Sequence, residues 1–139
     1  MVRFATTDDH KWIFDAVSAA LPVRPENVTG SLEHQIANKG VIADDDLSVA
    51  SFVVHDEYVE VLFNVFNPKR SDQWTSSPVL STYLIYRYER PLRFLIHKDN
   101  VERYFATKGE YVNAHTALLG TKEIEGEVYN YYEYTHGGL

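Results

Sequence analysis

The chain contains no cysteine, and this absence removes several kinds of site at once. Disulfide bonds, thiolate zinc sites and cysteine nucleophiles are all excluded. The six histidines show no paired spacing such as His-x-x-x-His, and the Gly-x-Ser-x-Gly turn of serine hydrolases is absent. Asp44, Asp45 and Asp46 are consecutive and lack the alternating ligands of a calcium loop. We therefore expect no metal ion in this protein.

Basic clusters and long apolar runs are also missing. The net charge is −7, so the surface as a whole repels nucleic acid and anionic membranes. No window approaches the roughly 20 apolar residues of a membrane span, and the N-terminus lacks the apolar run of a signal peptide. These absences predict a soluble, cytoplasmic protein without nucleic-acid or membrane partners. The length of 139 residues, 45% of them hydrophobic, predicts a single domain over residues 1–139.

Glycine is scarce, and none occurs between Gly40 and Gly109. The middle of the chain therefore cannot form a glycine-rich turn, in which backbone amides come close to phosphate groups. A phosphate site in that region would have to use other residues.

Apolar periodicity predicts strands and helices along the whole chain. The first half is expected to form a strand, two helices and three strands, over residues 2–5, 7–21, 25–38, 41–43, 48–54 and 58–66. In the last of these strands Val59, Val61, Phe63 and Val65 alternate with other residues and are expected to share one face.

The second half is expected to alternate helices with strands. Ser77 is a suitable N-cap with Pro78 at the first helical position, and Asn100 is expected to cap a helix that Gly109 stops. The remaining predicted elements are a strand over residues 93–97 and two final strands, the last over residues 128–135. This order predicts an α/β fold with a mixed, mostly antiparallel sheet and helices on both faces.

The order of elements, and residues 65–80 in particular, resemble the GNAT (Gcn5-related N-acetyltransferase) fold superfamily. In that superfamily a Val-x-Pro-like strand end is followed by an Arg/Gln-x-x-Gly-x-Gly/Ala turn, which binds the pyrophosphate of acetyl-CoA at a helix start. This chain has Val65, Pro68 and the helix start at Ser77. The resemblance implies a GNAT-like fold and, for an active member, acetyl-CoA as cofactor.

The turn itself departs from the pattern of the superfamily. Trp74, Thr75, Ser76 and Ser77 stand where the glycines belong, and Asp72 places a negative charge where an anion would bind. The helix start and two basic residues remain for phosphate binding. The resemblance implies these cofactor-binding residues: Val65, Lys69, Arg70, Ser76, Ser77 and Asn100.

Two catalytic positions are also implied by the resemblance. Members often use a glutamate on the strand before the turn as general base, and Glu60 lies in that region. The general acid is usually a tyrosine four residues before a helix-ending glycine, a position that Phe105 occupies here. Tyr104 is our candidate proton donor, but one residue turns about 100° around a helix, so we expect it to point elsewhere.

A closer resemblance is to the GNAT-like small internal virion proteins of short-tailed bacteriophages. It rests on Ser-Asp-Gln-Trp at residues 71–74, Arg-Tyr-Phe-Ala-Thr-Lys-Gly at residues 103–109, and a Gly137-Gly138 tail. It implies a protein of particle assembly or host takeover, located in the host cytoplasm or in the virion.

Three functional hypotheses remain open. The first is a non-catalytic binding or structural protein that uses no cofactor, and the altered turn together with Phe105 favours it. The second is an active acetyl-CoA-dependent N-acetyltransferase, and the third is an inhibitor of a host protein. Ten tyrosines, four of them within residues 129–134, predict a protein partner that covers a tyrosine-rich surface.

Overall fold

The computed structural model describes residues 1–22, 24, 26–73 and 76–137. Its strands are β1 (Val2–Phe4), β2 (Val41–Asp44), β3 (Ser48–Val54), β4 (Val59–Phe66), β5 (Leu92–His97), β6 (Thr116–Ile124) and β7 (Glu127–Tyr134). They form one sheet in the order β1-β2-β3-β4-β5-β7-β6. The pair β4–β5 is parallel and the other pairs are antiparallel. The predicted α/β fold with a mixed, mostly antiparallel sheet is therefore confirmed.

Six α-helices accompany the sheet in the described part of the chain. They are α1 (His10–Ala20), α2 (Glu26–Thr29), α3 (Leu32–Ala37), α4 (Pro78–Tyr88), α5 (Val101–Ala106) and α6 (Glu110–Ala114). Ser77 and Asn100 are the N-cap residues of α4 and α5, as predicted. None of the described helices is long and apolar enough to span a membrane.

The single helix predicted over residues 25–38 is wrong. The structure has two short helices there, α2 and α3, separated at Gly30, whose φ of 73° lies in the left-handed region. Ser31 then caps α3, because its side chain accepts a hydrogen bond from the backbone N–H of His34. Pro25, the predicted first-turn residue, lies outside the described residues.

The prediction for Gly109 is also wrong in one respect. The glycine follows α5, but its backbone is extended, with φ −79° and ψ 170°, and it serves as the N-cap of α6. The sequence had not predicted this helix. The first of the two final strands therefore begins only at Thr116.

A β-bulge in β4 changes which face its side chains occupy. In the register with β3, Phe63 is opposite Ser51 and Val61 is opposite Phe52, so Leu62 has no partner residue. Val61 packs on the face covered by α4, whereas Phe63 packs on the face covered by α1 and α3. The expectation that Val59, Val61, Phe63 and Val65 share one face is thus wrong, because the extra residue reverses the alternation.

Two apolar cores result, one on each face of the sheet. The first includes Ile13 and Val17 of α1, which pack against strand residues such as Val49. The second includes Leu80 and Leu84 of α4. Helices thus cover both faces, as the sequence predicted.

The bulge also separates β4 from β5. The two strands pair only from Val59 opposite Leu92 to Val61 opposite Phe94. Beyond that point residues 62–66 of β4 have no β5 partner. The parallel pair therefore opens into a cleft, and this opening positions the candidate site.

The N-terminal end of α1 is held by Asp9. Its carboxylate accepts hydrogen bonds from the Arg3 guanidinium at 2.7 and 2.9 Å, the Thr6 backbone N–H at 2.8 Å and the Trp12 indole N–H at 2.9 Å. The carboxylate therefore ties β1 to α1.

Candidate functional site

The cleft between the splayed parts of β4 and β5 has a volume of about 210 Å³. Its walls come from both strands, from α4 and α5, and from the C-terminal end of α1. Of the residues that the sequence assigned to the cofactor, Val65, Ser76 and Asn100 line it, and so does the candidate proton donor Tyr104. The structure thus brings together four of the eight predicted site residues.

Tyr104 faces the cleft, so the expectation that it would point elsewhere is wrong. Its side chain is buried, and its hydroxyl lies near the side chain of Ser76. Burial raises the pKa of the Tyr104 hydroxyl, with the nearby Ser76 side chain acting in the opposite direction. Phe105, the next residue, packs edge-on against Tyr104 and Tyr132.

Lys108 is a cleft residue that the sequence had not indicated. Its Nζ lies 3.4 Å from the backbone carbonyl of Ser76 and 4.8 Å from the centre of the Tyr104 ring. Burial lowers the pKa of the Lys108 ammonium. Ser76 at the end of the β4–α4 loop is therefore contacted by Tyr104 of α5 and by Lys108 just beyond α5, across the edge of the cleft.

Two backbone amides that immediately precede α4, those of Ser76 and Ser77, already have partners. The Ser76 N–H donates to the backbone carbonyl of Asn64 at 3.1 Å, and the Ser77 N–H donates to the Asn64 side-chain oxygen at 2.9 Å. The Asn64 amide in turn donates to the Ser77 carbonyl and to the Ser81 hydroxyl, both at 3.1 Å. Asn64 interrupts the apolar positions of β4, which was the signal in the sequence that could have identified it.

The two basic residues predicted to bind phosphate lie outside the cleft. Arg70 forms an ion pair with Asp46, with 3.1 Å between Nη1 and Oδ2. Lys69 is exposed, and its backbone N–H donates to the side chain of Asn67. Ser77 is buried at the start of α4 rather than on the cleft wall. Trp74 and Thr75, which replace expected glycines, lie outside the described residues.

Some of the groups in this loop that suit a pyrophosphate site already have partners within the protein. Such a site needs backbone N–H groups and cations that are available to an anion. Here the N–H groups of Ser76 and Ser77 are bonded to Asn64, and Arg70 is bonded to Asp46. These groups are therefore engaged by this chain's own contacts, in addition to the absence of the glycines.

Glu60, the candidate general base, lies on the opposite face of the sheet from Tyr104. It lines a depression of about 90 Å³, and its Oε1 is 3.2 Å from Nε2 of His55. Val61, Leu62, Phe94 and Leu95 line both this depression and the larger cleft. The two candidate catalytic residues therefore lie on either side of the splayed strands.

Two further residues at the far end of the cleft were not predicted. His97 is buried, and its Nε2 is 2.7 Å from the Glu127 carboxylate. Tyr129 packs edge-on against His97, and its buried hydroxyl has no hydrogen-bond partner among the described residues. Burial raises the pKa of Tyr129, and the negative charges of Glu127 and Glu125 raise it further. The sequence could not identify these two residues, because His97 is a single histidine at a strand end and Tyr129 is one of four tyrosines in the same strand.

Most of the tyrosine-rich surface is covered by the domain's own elements. On β7 Tyr129 and Tyr132 are buried, and Tyr131 and Tyr134 are half-buried. The tyrosines that remain exposed are Tyr86 of α4 and Tyr111 of α6. Both contact the ring of His136, with centroid distances of 5.7 and 5.9 Å. The Tyr–His patch, formed by Tyr86, Tyr111, His115 and His136, is the aromatic surface left for a partner.

Comparison with known proteins gives no match to any family model and none to any curated protein. Comparison with solved structures does find similar proteins. A GNAT-family acetyltransferase from Bacillus cereus is similar with a TM-score of 0.59 and 14% identity, covering 97% of this chain and 96% of its own. The ribosomal-protein-S18-alanine N-acetyltransferase from Escherichia coli gives a TM-score of 0.60 and 10% identity, covering 100% and 97%.

This chain has the GNAT fold. The likeness to an Arabidopsis thaliana protein solved with the bisubstrate analogue CoA-Ac-MVNAL agrees, with a TM-score of 0.60, 10% identity and coverage of 98% of both chains. At such low identity the likeness establishes the GNAT architecture and leaves the chemistry to the residues of the cleft.

Proposed function

We propose that this GNAT-fold chain does not catalyse acetyl transfer and acts as a binding or structural component, in the assembly of a bacteriophage particle. The observation that carries the proposal is the hydrogen bonding of Asn64 to the loop end. Asn64 takes up the N–H groups of both Ser76 and Ser77, which precede α4. An anion that used these two loop amides would have to displace hydrogen bonds that the protein already makes.

The contacts of Ser76 with α5 support the same proposal. Tyr104 and Lys108 both reach Ser76, so the loop and α5 are joined where the cleft edge would have to admit a ligand. Asp72 adds a negative charge to the same loop. Breaking the Ser76 contacts would leave the buried Tyr104 hydroxyl and the Lys108 ammonium without these partners, which costs free energy.

The assignment to a phage particle is supported by the short sequence likeness in residues 71–74 and 103–109. A protein partner is supported by the Tyr–His patch, where two exposed tyrosines flank His136. Amphipathic rings of this kind are enriched at protein interfaces.

A second candidate function is acetyl-CoA-dependent N-acetyl transfer. The position of Tyr104 in the cleft favours it, because a buried phenol there is able to protonate a leaving thiolate. Glu60 on the opposite face is placed as a base for an amine that approaches from that side.

Titration calorimetry of the purified chain with acetyl-CoA and with CoA tests the proposal. We expect no heat of binding at ligand concentrations of about 1 mM, because the loop amides and Arg70 already have partners. A dissociation constant near 10 μM, or about −7 kcal/mol, would overturn the proposal and favour the transferase.

Two variants locate any binding that is seen. The double variant Lys69→Ala/Arg70→Ala removes the cations of the loop, and Tyr104→Phe removes only the buried hydroxyl. Binding that the double variant abolishes would place phosphates on the loop. Release of CoA that depends on Tyr104 would assign catalysis, whereas the proposal expects no CoA release by the unmodified chain.

A further inference from the structure

The β6 edge of the sheet is long and open. Strand β6 pairs with β7 on one side and ends the sheet on the other, in the order given by the described residues. It contains 9 residues, whereas β1 at the opposite edge contains 3. In an antiparallel strand every second residue turns its N–H and C=O away from the neighbour. A row of backbone donors and acceptors is therefore left along β6.

Proteins usually protect such an edge with proline, charged residues or a cover. Strand β6 contains no proline, and its only charged residues are Lys122 and Glu123 near one end. A bulge does interrupt the pairing with β7 at Leu119, since Leu118 and Gly120 are opposite Tyr132 and Tyr131. This bulge limits regular pairing to the two segments on either side of it.

Two leucines project at the bulge. The exposed fractions of Leu118 and Leu119 are 58% and 46%. Two adjacent exposed leucines on an open edge are typical of a surface that another protein chain covers.

The distribution of charge around the β6 edge indicates what kind of partner chain fits there. Among 20 acidic residues, none occurs between Glu110 and Glu123. That interval contains α6 after its first residue and most of β6, and it carries Lys122. Two copies with a net charge of −7 repel each other over most of their surfaces, and this interval is where they can meet without opposed carboxylates.

We propose that a second copy of this chain docks on the β6 edge in an antiparallel, two-fold arrangement. A two-fold axis is favoured because an antiparallel edge is complementary to itself, so each donor row meets an acceptor row of the same sequence. The two seven-stranded sheets then form one continuous sheet. Leu118 and Leu119 pack against the second copy beside the ladder.

Sedimentation velocity over a range of concentrations tests this dimer. A strand pair with a few side chains is a small interface, so we expect a dissociation constant of about 10 μM. Leu118→Glu places two carboxylates together across the axis and should weaken the dimer at least about tenfold. Val79→Glu on α4 is the matched control, because Val79 is 49% exposed and gains the same charge away from the edge.

The absence of cysteine allows a second test. A single cysteine can form a disulfide only with another copy, and opposed residues of antiparallel strands lie within disulfide range. Only a residue at the two-fold axis lies opposite its own copy, so we expect mild oxidation to yield covalent dimer from Leu118→Cys and not from Lys122→Cys. Asp56→Cys in the exposed β3–β4 turn should remain monomeric.

A chain that stays monomeric at about 1 mM would overturn the proposal, and so would a dimer that Leu118→Glu leaves unchanged. A dimer that Asp56→Cys cross-links as readily as Leu118→Cys would overturn it as well. Circular dichroism of each variant confirms folding, which the high exposure of Leu118 should preserve. None of these readouts depends on CoA binding, so failure of this dimer is distinguishable from failure of the proposed function.

Discussion

Single side chains with several partners hold the irregular parts of this structure. Asn64 joins β4 to Ser77, where the loop meets α4, and to Ser81 within α4. Asp9 joins β1 to α1. Both are polar residues close to buried apolar positions, where an unmet hydrogen bond costs more than in solvent. Their removal should therefore have effects beyond those of ordinary surface residues.

Asp9→Asn should lower the free energy of unfolding by about 2 kcal/mol at pH 7, because the Arg3 guanidinium loses its charged partner and an amide cannot accept all the hydrogen bonds of the carboxylate. Urea denaturation measures this, with Asp8→Asn as the control for an exposed neighbour. The control should change stability by less than about 0.5 kcal/mol. Equal losses in both variants would contradict the role given to Asp9.

The pH dependence of this difference has a definite sign. The Arg3 guanidinium, aided by the Thr6 and Trp12 N–H groups, holds the pKa of the Asp9 carboxyl far below its ordinary value. Its contribution is therefore fully present above the unfolded-state pKa of about 4 and declines as the pH falls below it. The difference in unfolding free energy between the wild type and Asp9→Asn should become smaller as the pH falls below 4. A difference that grew there would refute the assignment.

At the residue scale, some of the predicted site residues come together in the cleft. Val65, Ser76, Asn100 and Tyr104 were identified by resemblance, and the structure places them in the cleft. Lys108 and Tyr129 were not, because their importance depends on burial that only the packed structure shows. The direction of Tyr104 was wrong, since counting back from Gly109 assumed a helix that continues to the glycine, whereas α5 ends at Ala106.

The ends of elements account for most of the strain in the backbone. Glu89 follows α4 with φ 53° and ψ 45°, a left-handed conformation that usually belongs to glycine. Gly30 provides the same conformation between α2 and α3 without a side-chain penalty. The predicted continuous helix over residues 25–38 failed at this glycine, because helix periodicity continues across a break that the backbone makes locally.

Glu89→Gly should stabilise the protein by about 0.5–1 kcal/mol, because it relieves the left-handed strain at the end of α4. Thermal unfolding measures the change. The matched control is Glu102→Gly within α5, where the backbone is helical and glycine should cost about 1 kcal/mol. The two substitutions should thus have opposite signs, and a loss of stability in both would show that Glu89 is not strained.

At the scale of the whole molecule the fold was the most predictable feature. Element order and strand periodicity sufficed for the mixed sheet, and β3 was predicted with the bounds that the structure has. The bulge at Leu62 was not predictable, because the alternation of Val59, Val61, Phe63 and Val65 continues through it. The register of β4 with β3 sets the face of the sheet on which each β4 side chain lies, and this register depends on residues of another strand.

The net charge of −7 gives a prediction for the dimer at the β6 edge. Two acidic copies repel each other at long range, while their contact is apolar and backbone-mediated. Raising the salt from 20 to 300 mM NaCl should therefore tighten the dimer, by about fivefold, as repulsion is screened. Sedimentation velocity at both salt concentrations measures this, and weaker association at high salt would instead indicate an interface built on ion pairs.

The bulge at Leu62 has a consequence for how this protein tolerates change. Val61 and Phe63 are two residues apart, yet they belong to separate cores on opposite faces. Energetic coupling between substitutions depends on shared contacts, so a change at Val61 should couple less strongly to the core under α1 and α3 than a change at Phe63 does. The side chains of both residues also line the cleft, which is where the two cores approach each other. One strand of eight residues thus supplies both cores, with the change of face at a single leucine.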